Sequence, residues 1–412
     1  MDSLDIYVRD TQVARLDRSG TGEYTFSYLP DTKDDDAVSL TMPVNEDYSD
    51  PFMIIPPALQ VGFPEGALLE AIYRIAGKTL KIDDDFDVLA LVGQNMVGRV
   101  RILPQGQSPN TAPALSASNA VSELLRNPSS TAPLLEKLIE RLAVQTGLSG
   151  ILPKAFAAAP LQGPLSFPVG DSILKLETPE FPGIAIVEHI CLLACRAAGI
   201  PTVDSQLAAN GRALLVKRFD LGERGQRLGF EDFCALSGLP RTAKYASSMA
   251  SVAQVLKMYC QAPALDTLFT MTVMNTLLRN GDAHLKNFGL VYDDSAHPEL
   301  APAYDVVSTV VWIRDDQPAI PLQQNGPLSW ATLEDLTAFG ETACRLSRQG
   351  VMRILNRCEE AIQNTRPVLE TMRRRFPYAF ALERLDYTLS FVATSPQGVP
   401  SQSDTAVTRP RP

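Results

Sequence analysis

Apolar and polar positions alternate along the first hundred residues, a pattern typical of half-buried β-strands. LDIYVRDTQVARLDRSGTGEYTFSYLP, residues 4–30, is interrupted by SGTG, which is typical of a turn. A helix is predicted over EGALLEAIYRIAG, residues 65–77. FDVLALVGQNMVGRVRIL, residues 86–103, indicates a helix that turns through Gly93 into a strand. We therefore predict a β-rich N-terminal subdomain over residues 1–103.

The pattern then becomes irregular, because Pro, Ser, Asn and Ala dominate residues 104–131, which we interpret as a loose connection. PLLEKLIERLAVQTG, residues 133–147, fits an amphipathic helix. DSILKLET, residues 171–178, fits a strand, and IAIVEHICLLACRAAG, residues 184–199, fits a buried helix. TVDSQLAANGRALLVKRFD, residues 202–220, fits a hairpin with Asn-Gly at its turn.

The second half of the chain is predicted to be mostly helical from Phe230 onward. VMRILNRCEEAIQN and VLETMRRRF, residues 351–364 and 368–376, fit helices. We divide the chain after the connection into residues 132–222 and 223–390. Residues 391–412 are polar and rich in Pro, and we predict a disordered tail there.

Composition narrows the class of protein. The 412 residues are 45% hydrophobic and 20% charged, as in ordinary soluble proteins, and the net charge of −10 argues against coating of nucleic acid. The six cysteines form no CxxC pair, which favours buried thiols in a reducing compartment, with Cys191 and Cys195 on one helix face. The N-terminus is unlike a signal peptide, and no apolar run approaches about 18 residues, so we expect a cytoplasmic protein without a membrane span.

One short stretch, NGDAHLKNFGLVYDD, concentrates polar residues directly before a strand-like segment. Within it Asp282 and Asn287 match the D-x-x-x-x-N spacing of a kinase catalytic loop. That chemistry needs an Asp that reaches the attacking hydroxyl and an Asn that turns back toward a magnesium ion beside the phosphate. The pair alone is weak, because Asp and Asn fall five residues apart by chance in most proteins.

Two further positions fit the same chemistry. Asp305, in LAPAYDVVST, follows Asn287 by 18 residues, where a kinase places its second metal carboxylate, although no Gly follows it. The alternative is a helix cap. Lys175, in mid-strand, is placed to hold phosphates with Glu188 as its helix partner. Taken separately, these two also fit a solvated strand Lys and a helix-surface Glu.

Two more segments complete the order that kinases use. TGLSGILPK, residues 146–154, brackets Ser149 with Gly147 and Gly150, which favours either a phosphate-cradling turn or a simple helix stop. It matches neither the Walker motif nor G-x-G-x-x-G. LLVKRFD, residues 214–220, is placed where a kinase hinge contacts adenine through backbone groups, although the segment alone is not specific.

With these segments the chain resembles the HipA family of bacterial serine/threonine kinase toxins, over residues 1 to about 390. SGILPK, SILKLE, LLVKRFD, FEDFCALSGLP…KY, NGDAHLKNFGL and LAPAYDVVST carry the resemblance. It implies an α+β fold with a protein-kinase-like two-lobed core, a β-rich N-terminal subdomain and a mostly helical C-terminal lobe. It also implies ATP- and magnesium-dependent transfer to a protein hydroxyl, with aminoacyl-tRNA synthetases as targets of relatives. A small helix-turn-helix antitoxin is the implied partner, and DNA is reached through it.

The resemblance also implies roles for individual residues. Asp282 would be the catalytic base, assisted by Lys175 and Asn287, and Asn287 and Asp305 would hold magnesium. Lys286 is a candidate for charge at the γ-phosphate, and His284 for either nucleotide contact or ordering of the loop. The implied nucleotide-binding residues are Ser149, Gly150, Ile151, Leu152, Pro153, Lys154, Lys175, Lys217, Arg218, Phe219, His284, Lys286, Asn287, Tyr304 and Asp305.

Two departures from the family pattern bear on regulation and on DNA. Gly147 stands where many relatives carry a regulatory serine, which leaves Ser149, or Thr146, as the residue for self-phosphorylation. Residues 318–345 lack the basic cluster that some relatives direct at DNA. Two other functions stay open: a small-molecule phosphotransferase, and a catalytically idle module that holds an antitoxin or DNA.

Overall fold

The computed structural model describes residues 2–66, 69–70, 72–73, 82–109, 165–376 and 379–394. The chain divides into two compact units. The first comprises Met1–Phe181, Gln206–Ala243 and Gly289–Pro298, and the second comprises Pro182–Ser205, Lys244–Phe288 and Glu299–Pro412. The predicted helix at 133–147, the turn at 146–154, much of the helix at 65–77 and residues 395–412 lie outside the described part of the chain.

The first unit begins with a four-stranded antiparallel sheet that confirms the strands predicted from alternation. Its strands are β1 (Ser3–Val8), β2 (Thr11–Arg18), β3 (Tyr24–Tyr28) and β4 (Val100–Pro104), in the order β3-β2-β1-β4. The inward-facing residues of these strands share one apolar core, which stabilises the sheet.

Helix α1 (Asp85–Val92) packs into the same core and leads into β4, as the sequence predicts. Its N-terminus is capped by Asp84, whose carboxylate accepts the N–H groups of Phe86 and Asp87 at 3.0 and 3.1 Å. Gly93 follows the helix because a Cβ there would lie 2.3 Å from the carbonyl oxygen of Ile102. The glycine therefore permits the close approach of helix end and strand.

A second sheet in the first unit carries the predicted strand lysine. It contains β5 (Leu165–Val169), β6 (Ser172–Leu176), β7 (Ser205–Leu207) and β8 (Ala213–Lys217) in the order β5-β6-β8-β7. The predicted β7–β8 hairpin is confirmed, and Gly211 takes a φ of +74° at its turn. Two further strands, β9 (Gly229–Asp232) and β10 (Gly289–Tyr292), pair antiparallel.

A buried carboxylate ties the N-terminal segment to β9 and β10 inside the first unit. Glu231 accepts hydrogen bonds from the Ser39 hydroxyl, from the Leu40 N–H at 2.8 Å and from the Tyr292 hydroxyl at 2.7 Å. Desolvation raises the pKa of Glu231. The three hydrogen bonds and the positive charge of Arg99 act in the opposite direction but do not outweigh it. Because three donors share one acceptor group, the packing of this region depends on Glu231.

The second unit is built mainly from helices. They are α2 (Ile184–Ala197), α4 (Met249–Tyr259), α5 (Ala262–Leu277), α6 (Leu333–Thr342), α7 (Arg348–Arg375) and α8 (Ala379–Thr394). The short helix α3 (Phe233–Leu236) lies between α2 and α4 in sequence but belongs to the first unit. Strand β11 (Glu299–Leu300) precedes the segment that carries Asp305. Helix α7 packs against α2, α5, α6 and α8 and forms the centre of the unit.

Three local outcomes refine the sequence predictions. The two helices predicted at 351–364 and 368–376 form one helix, α7, which continues through Pro367. A proline lacks one N–H and normally breaks a helix, but burial of Ile362, Thr365 and Leu369 around it keeps the helix continuous. Cys191 and Cys195 are buried on α2, as predicted. Helix α8 continues to Thr394, beyond the predicted start of the tail.

In the part of the chain that the structure describes, no helix combines the length and the apolar character that a membrane crossing requires.

Candidate active site

The segment after helix α5 is held to the helix end by a pair of asparagines. Asn280 donates its backbone N–H to the carbonyl of Asn275 at 2.9 Å and its Nδ2 to Asn275 Oδ1 at 2.8 Å. Asn280 Oδ1 accepts the backbone N–H of Asp282 at 3.2 Å. Asn280 is buried, so its side chain holds the backbone that leads to Asp282 from the interior of the protein.

The turn before Asp282 is tight and needs a glycine. The Gly281 N–H donates to Thr309 Oγ1 at 2.7 Å, and a Cβ at this glycine would lie 2.0 Å from Asp316 Oδ2. Thr309 Oγ1 in turn donates to the carbonyl of Arg279 at 3.2 Å. Arg279 itself has a φ of +54°, a left-handed conformation that reverses the chain directly after the helix. The start of the loop is therefore fixed at Arg279 and at Gly281, which both bond to the Thr309 hydroxyl.

The Asp282 carboxylate faces solvent at the tip of this loop. Its side chain is 51% exposed, and its Oδ1 accepts the hydroxyl of Tyr245 at 3.1 Å. His284 Nε2 lies 3.9 Å from the same oxygen, beyond hydrogen-bonding distance. A general base must be within hydrogen-bond reach of the proton that it removes, and an accessible carboxylate on a fixed loop can be approached by such a group.

Asn287 and Asp305, 18 residues apart in sequence, meet in the second unit. Asn287 Nδ2 donates to Asp305 Oδ2 at 3.0 Å, and Asn287 Oδ1 accepts the N–H of His284 at 3.1 Å. Asp305 has a φ of +55°, a conformation that costs energy for a residue with a side chain. The structure thus brings together the amide and the carboxylate that the sequence assigned to a metal.

The donor set of Asn287 and Asp305 fits magnesium. Among the described residues, no group of three or more His, Cys, Asp and Glu side chains is arranged to hold a metal ion. Magnesium, however, prefers hard oxygen donors and usually takes only one or two carboxylates, with water and phosphate completing its shell. The oxygens that would hold the ion are those of the Asp305 carboxylate and Asn287 Oδ1. In this structure Asn287 Nδ2 faces Asp305 Oδ2 at 3.0 Å and Oδ1 accepts the His284 N–H, so the amide oxygen would have to turn toward the ion.

His284 lies under the loop. It is buried, its Nδ1 has no hydrogen-bond partner among the described residues, and its ring packs edge-on against Tyr245 with centroids 5.3 Å apart. Burial first, and then the charge of Lys244, lower the pKa of His284 to about 3, against the opposing charge of Asp305. The imidazole is therefore neutral at neutral pH and supports the loop by packing.

Lys286 and Tyr304 are joined by the hydroxyl of the tyrosine, which donates to the Lys286 carbonyl at 2.6 Å. Tyr304 precedes Asp305, so this bond links the Asp305 segment to the catalytic loop. The side chain of Lys286 is half-buried. Its backbone has a structural role, and its ammonium stays a candidate for phosphate contact.

The first unit holds the other described candidates. Lys175 is half-buried on β6, opposite Leu214 of β8. Lys217 ends β8 with an exposed side chain. Phe219 packs edge-on against Phe230, with centroids 5.0 Å apart. Glu188, the expected partner of Lys175, is buried on α2 in the second unit.

The side chain of Arg218 is engaged inside the first unit, whereas the contact of residues 217–219 with adenine, expected through backbone groups, stays a prediction. Its guanidinium is buried and forms a two-point ion pair with Asp220, whose Oδ2 also accepts the Gly98 N–H at 2.8 Å. Burial opposes ionisation of Asp220, but Arg218 and the Gly98 amide outweigh it, so the pKa of Asp220 is lowered. The Arg218 side chain thus stabilises the first unit. Residues 149–154 lie outside the described part of the chain.

Comparison with known proteins decides the family. The family profile described as HipA-like C-terminal domain matches residues 146–366, and that of the HipA N-terminal domain matches residues 4–103. The chain belongs to the HipA family.

Two relatives named as kinases and one solved structure are also similar to this chain. The chain is 26% identical to "Putative kinase Y4dM" of Sinorhizobium fredii, over 79% of each chain. It is 32% identical to "Putative kinase Y4mE" of the same organism, over 56% of this chain and 59% of the relative. The structure of the Shewanella oneidensis MR-1 toxin–antitoxin complex of HipA, HipB and operator DNA matches with a TM-score of 0.67 at 19% identity, covering 94% of this chain and 95% of that chain. The α+β, kinase-like fold of the HipA family is therefore confirmed.

Two residues that shape the loop around Asp282 are not indicated as functional by the sequence alone. The polar loop predicts no role for its first residue, Asn280, and Tyr245 enters only as part of the Lys-Tyr pair in the family resemblance. The signal for Asn280 is an Asn two residues before the Asp, a spacing typical of a side chain that accepts the i+2 backbone N–H. The contact of Tyr245 has no comparable local signal, because its partner lies 37 residues away.

Proposed function

We propose that this HipA-family chain is an ATP- and magnesium-dependent serine/threonine protein kinase, the toxin of a bacterial toxin–antitoxin pair. The observation that carries the proposal is the arrangement around the catalytic loop. Asp282 is accessible on a fixed loop, and Asn287, five residues later in that loop, contacts Asp305 with Nδ2 3.0 Å from Oδ2. The kinase names of the two Sinorhizobium relatives support the same activity.

Each residue has a defined task in this proposal. Asp282 accepts the proton of the attacking hydroxyl and holds that hydroxyl toward the γ-phosphorus. Asn287 and Asp305 would hold magnesium, which when bound would neutralise charge on the phosphates. Lys175 would bind phosphate oxygens from β6. The neutral ring of His284 packs beneath the loop and adds no positive charge beside the Asp282 carboxylate.

Membership of the family supports a proposal for the partners and the substrate. HipB and operator DNA accompany HipA in the Shewanella oneidensis complex. We propose a small helix-turn-helix antitoxin for this chain, with DNA reached through that antitoxin. The proposed substrate is a translation component, such as an aminoacyl-tRNA synthetase. With a net charge of −10, direct binding of this chain to DNA would be opposed by repulsion from the phosphates.

The proposal is tested by incubating the purified chain with γ-labelled ATP and a bacterial cell extract. A labelled protein that appears with wild-type enzyme and is missing with Asp282→Asn would support a protein kinase and would identify the substrate by mass spectrometry. Label found only in small molecules would favour a small-molecule phosphotransferase. ATP binding without any transfer would favour an idle binding module.

A further inference from the structure

A tyrosine hydroxyl already occupies the carboxylate proposed as the catalytic base. Tyr245 donates its hydroxyl to Asp282 Oδ1 at 3.1 Å. The tyrosine is 50% exposed and the Asp282 side chain 51%, so the contact lies at the surface of the loop, where an acceptor would arrive.

The position of this hydroxyl is fixed by its surroundings. The carbonyl of Lys244 accepts the N–H of Leu285 at 3.1 Å, which ties the tyrosine segment to the catalytic loop by main chain. The ring of Tyr245 packs edge-on against His284 at an interplanar angle of 76°, and Lys244 Nζ lies 5.3 Å from the ring centroid. An exposed tyrosine held on two sides keeps its hydroxyl near the carboxylate.

The distance is the one that an acceptor hydroxyl requires. A group whose proton is removed by a base lies about 2.6–3.2 Å from the base oxygen. We propose that Tyr245 occupies the acceptor-hydroxyl position at Asp282, so that the hydroxyl of a serine or threonine substrate must displace it. This inference rests on the proposed function, and it makes Tyr245 a specificity-determining residue on the acceptor side.

Water is the smallest acceptor and tests this position without knowledge of the protein substrate. In hydrolysis the water oxygen bonds to the γ-phosphorus and the bond from phosphorus to the β,γ-bridging oxygen breaks. ADP leaves with the electron pair, and Asp282 accepts the proton from water. If Tyr245 blocks the position, removal of its hydroxyl lets water take the same carboxylate oxygen.

The decisive variant is Tyr245→Phe, which removes one oxygen and keeps the ring that packs on His284. We expect phosphate release from magnesium-ATP, measured without any protein acceptor, to rise about fivefold, as follows from loss of one competing hydrogen bond. Tyr387→Phe is the matched control, because Tyr387 is similarly exposed, 47%, on α8 and has no role in the proposed reaction; its phosphate release should equal that of wild type. In the double variant Tyr245→Phe, Asp282→Asn, the rise should disappear.

The opposite role of Tyr245 predicts the opposite result. If the hydroxyl positions the carboxylate for catalysis, Tyr245→Phe lowers phosphate release, and an unchanged or lowered rate overturns the inference. That failure is distinct from failure of the proposed function. If only the inference about Tyr245 fails, the wild-type chain still labels a protein of the extract in an Asp282-dependent manner. If the proposed function fails, the wild-type chain labels no protein in that manner.

Discussion

Replacement of Asn280 by Ala should separate the positioning of Asp282 from the binding of ATP. The change removes two side-chain hydrogen bonds, one from Nδ2 to Asn275 Oδ1 at 2.8 Å and one from the Asp282 N–H to Oδ1 at 3.2 Å. A buried polar group left without its partner costs about 1–3 kcal/mol. Asn280 is 2% exposed, so both losses occur at a buried side chain.

The two losses are expected to differ in their effect. A cavity of about 40 Å³ borders Asn275 and Asn280, and it is roomy enough for water to replace the lost partner of Asn275. We therefore expect stability to fall by only about 1–2 kcal/mol. The Asp282 N–H loses the contact that fixes the loop, and about 2 kcal/mol of lost positioning corresponds to about 30-fold slower phosphate transfer.

The assay is single-turnover transfer from labelled ATP, with ATP affinity measured by calorimetry and unfolding followed in urea. Asn210→Ala is a matched control, because Asn210 Oδ1 makes the same i+2 contact, to the Arg212 N–H at 2.9 Å, in the β7–β8 turn of the first unit. It should keep the wild-type rate. A folded Asn280→Ala protein that transfers phosphate as fast as wild type would refute the positioning role.

Two further changes test the metal pair and the buried carboxylate. Asp305→Ala should weaken ATP binding by at least about 100-fold when magnesium is present and leave it nearly unchanged in EDTA, because only the magnesium-dependent part of the affinity needs the carboxylate. If the variant binds ATP as tightly as wild type does, both with magnesium and in EDTA, Asp305 has a purely structural role. Glu231→Ala should lower the free energy of unfolding by about 3 kcal/mol, because it leaves the donors of Ser39, Leu40 and Tyr292 unpaired. The exposed Glu223→Ala serves as its control and should change stability by less than about 0.5 kcal/mol; a similar small loss for Glu231→Ala would contradict the assigned role.

Much of the first unit could be predicted from local pattern. Alternation predicted β1 to β3, and the run from Phe86 through Gly93 predicted a helix, a turn and a strand in the right order, because each signal spans only a few residues. The prediction of a break before Val368 was wrong. The burial of α7 against four other helices outweighs the local effect of Pro367, and that packing involves residues far away in sequence.

The candidate site could be predicted only in part. The spacing of Asp282, Asn287 and Asp305 indicated one cluster, and the structure brings the last two into contact. The environment of Arg218 could not be predicted in the same way, because its ion pair and the amide of Gly98 come together only through the folding of the first unit. A contact between distant segments, such as that of Tyr245 with Asp282, can be predicted only when the course of the loop in space is known as well as its sequence.

The central claim is that Asp282 is the base of a phosphotransferase, and Asp282→Asn tests it most directly. The variant keeps the shape of the side chain and removes its ability to accept a proton. Calorimetry should give an ATP affinity within about twofold of wild type, while transfer of label to protein in a cell extract should fall by about 1,000-fold. Transfer at a rate near wild type, by a variant that still binds ATP, would contradict the account.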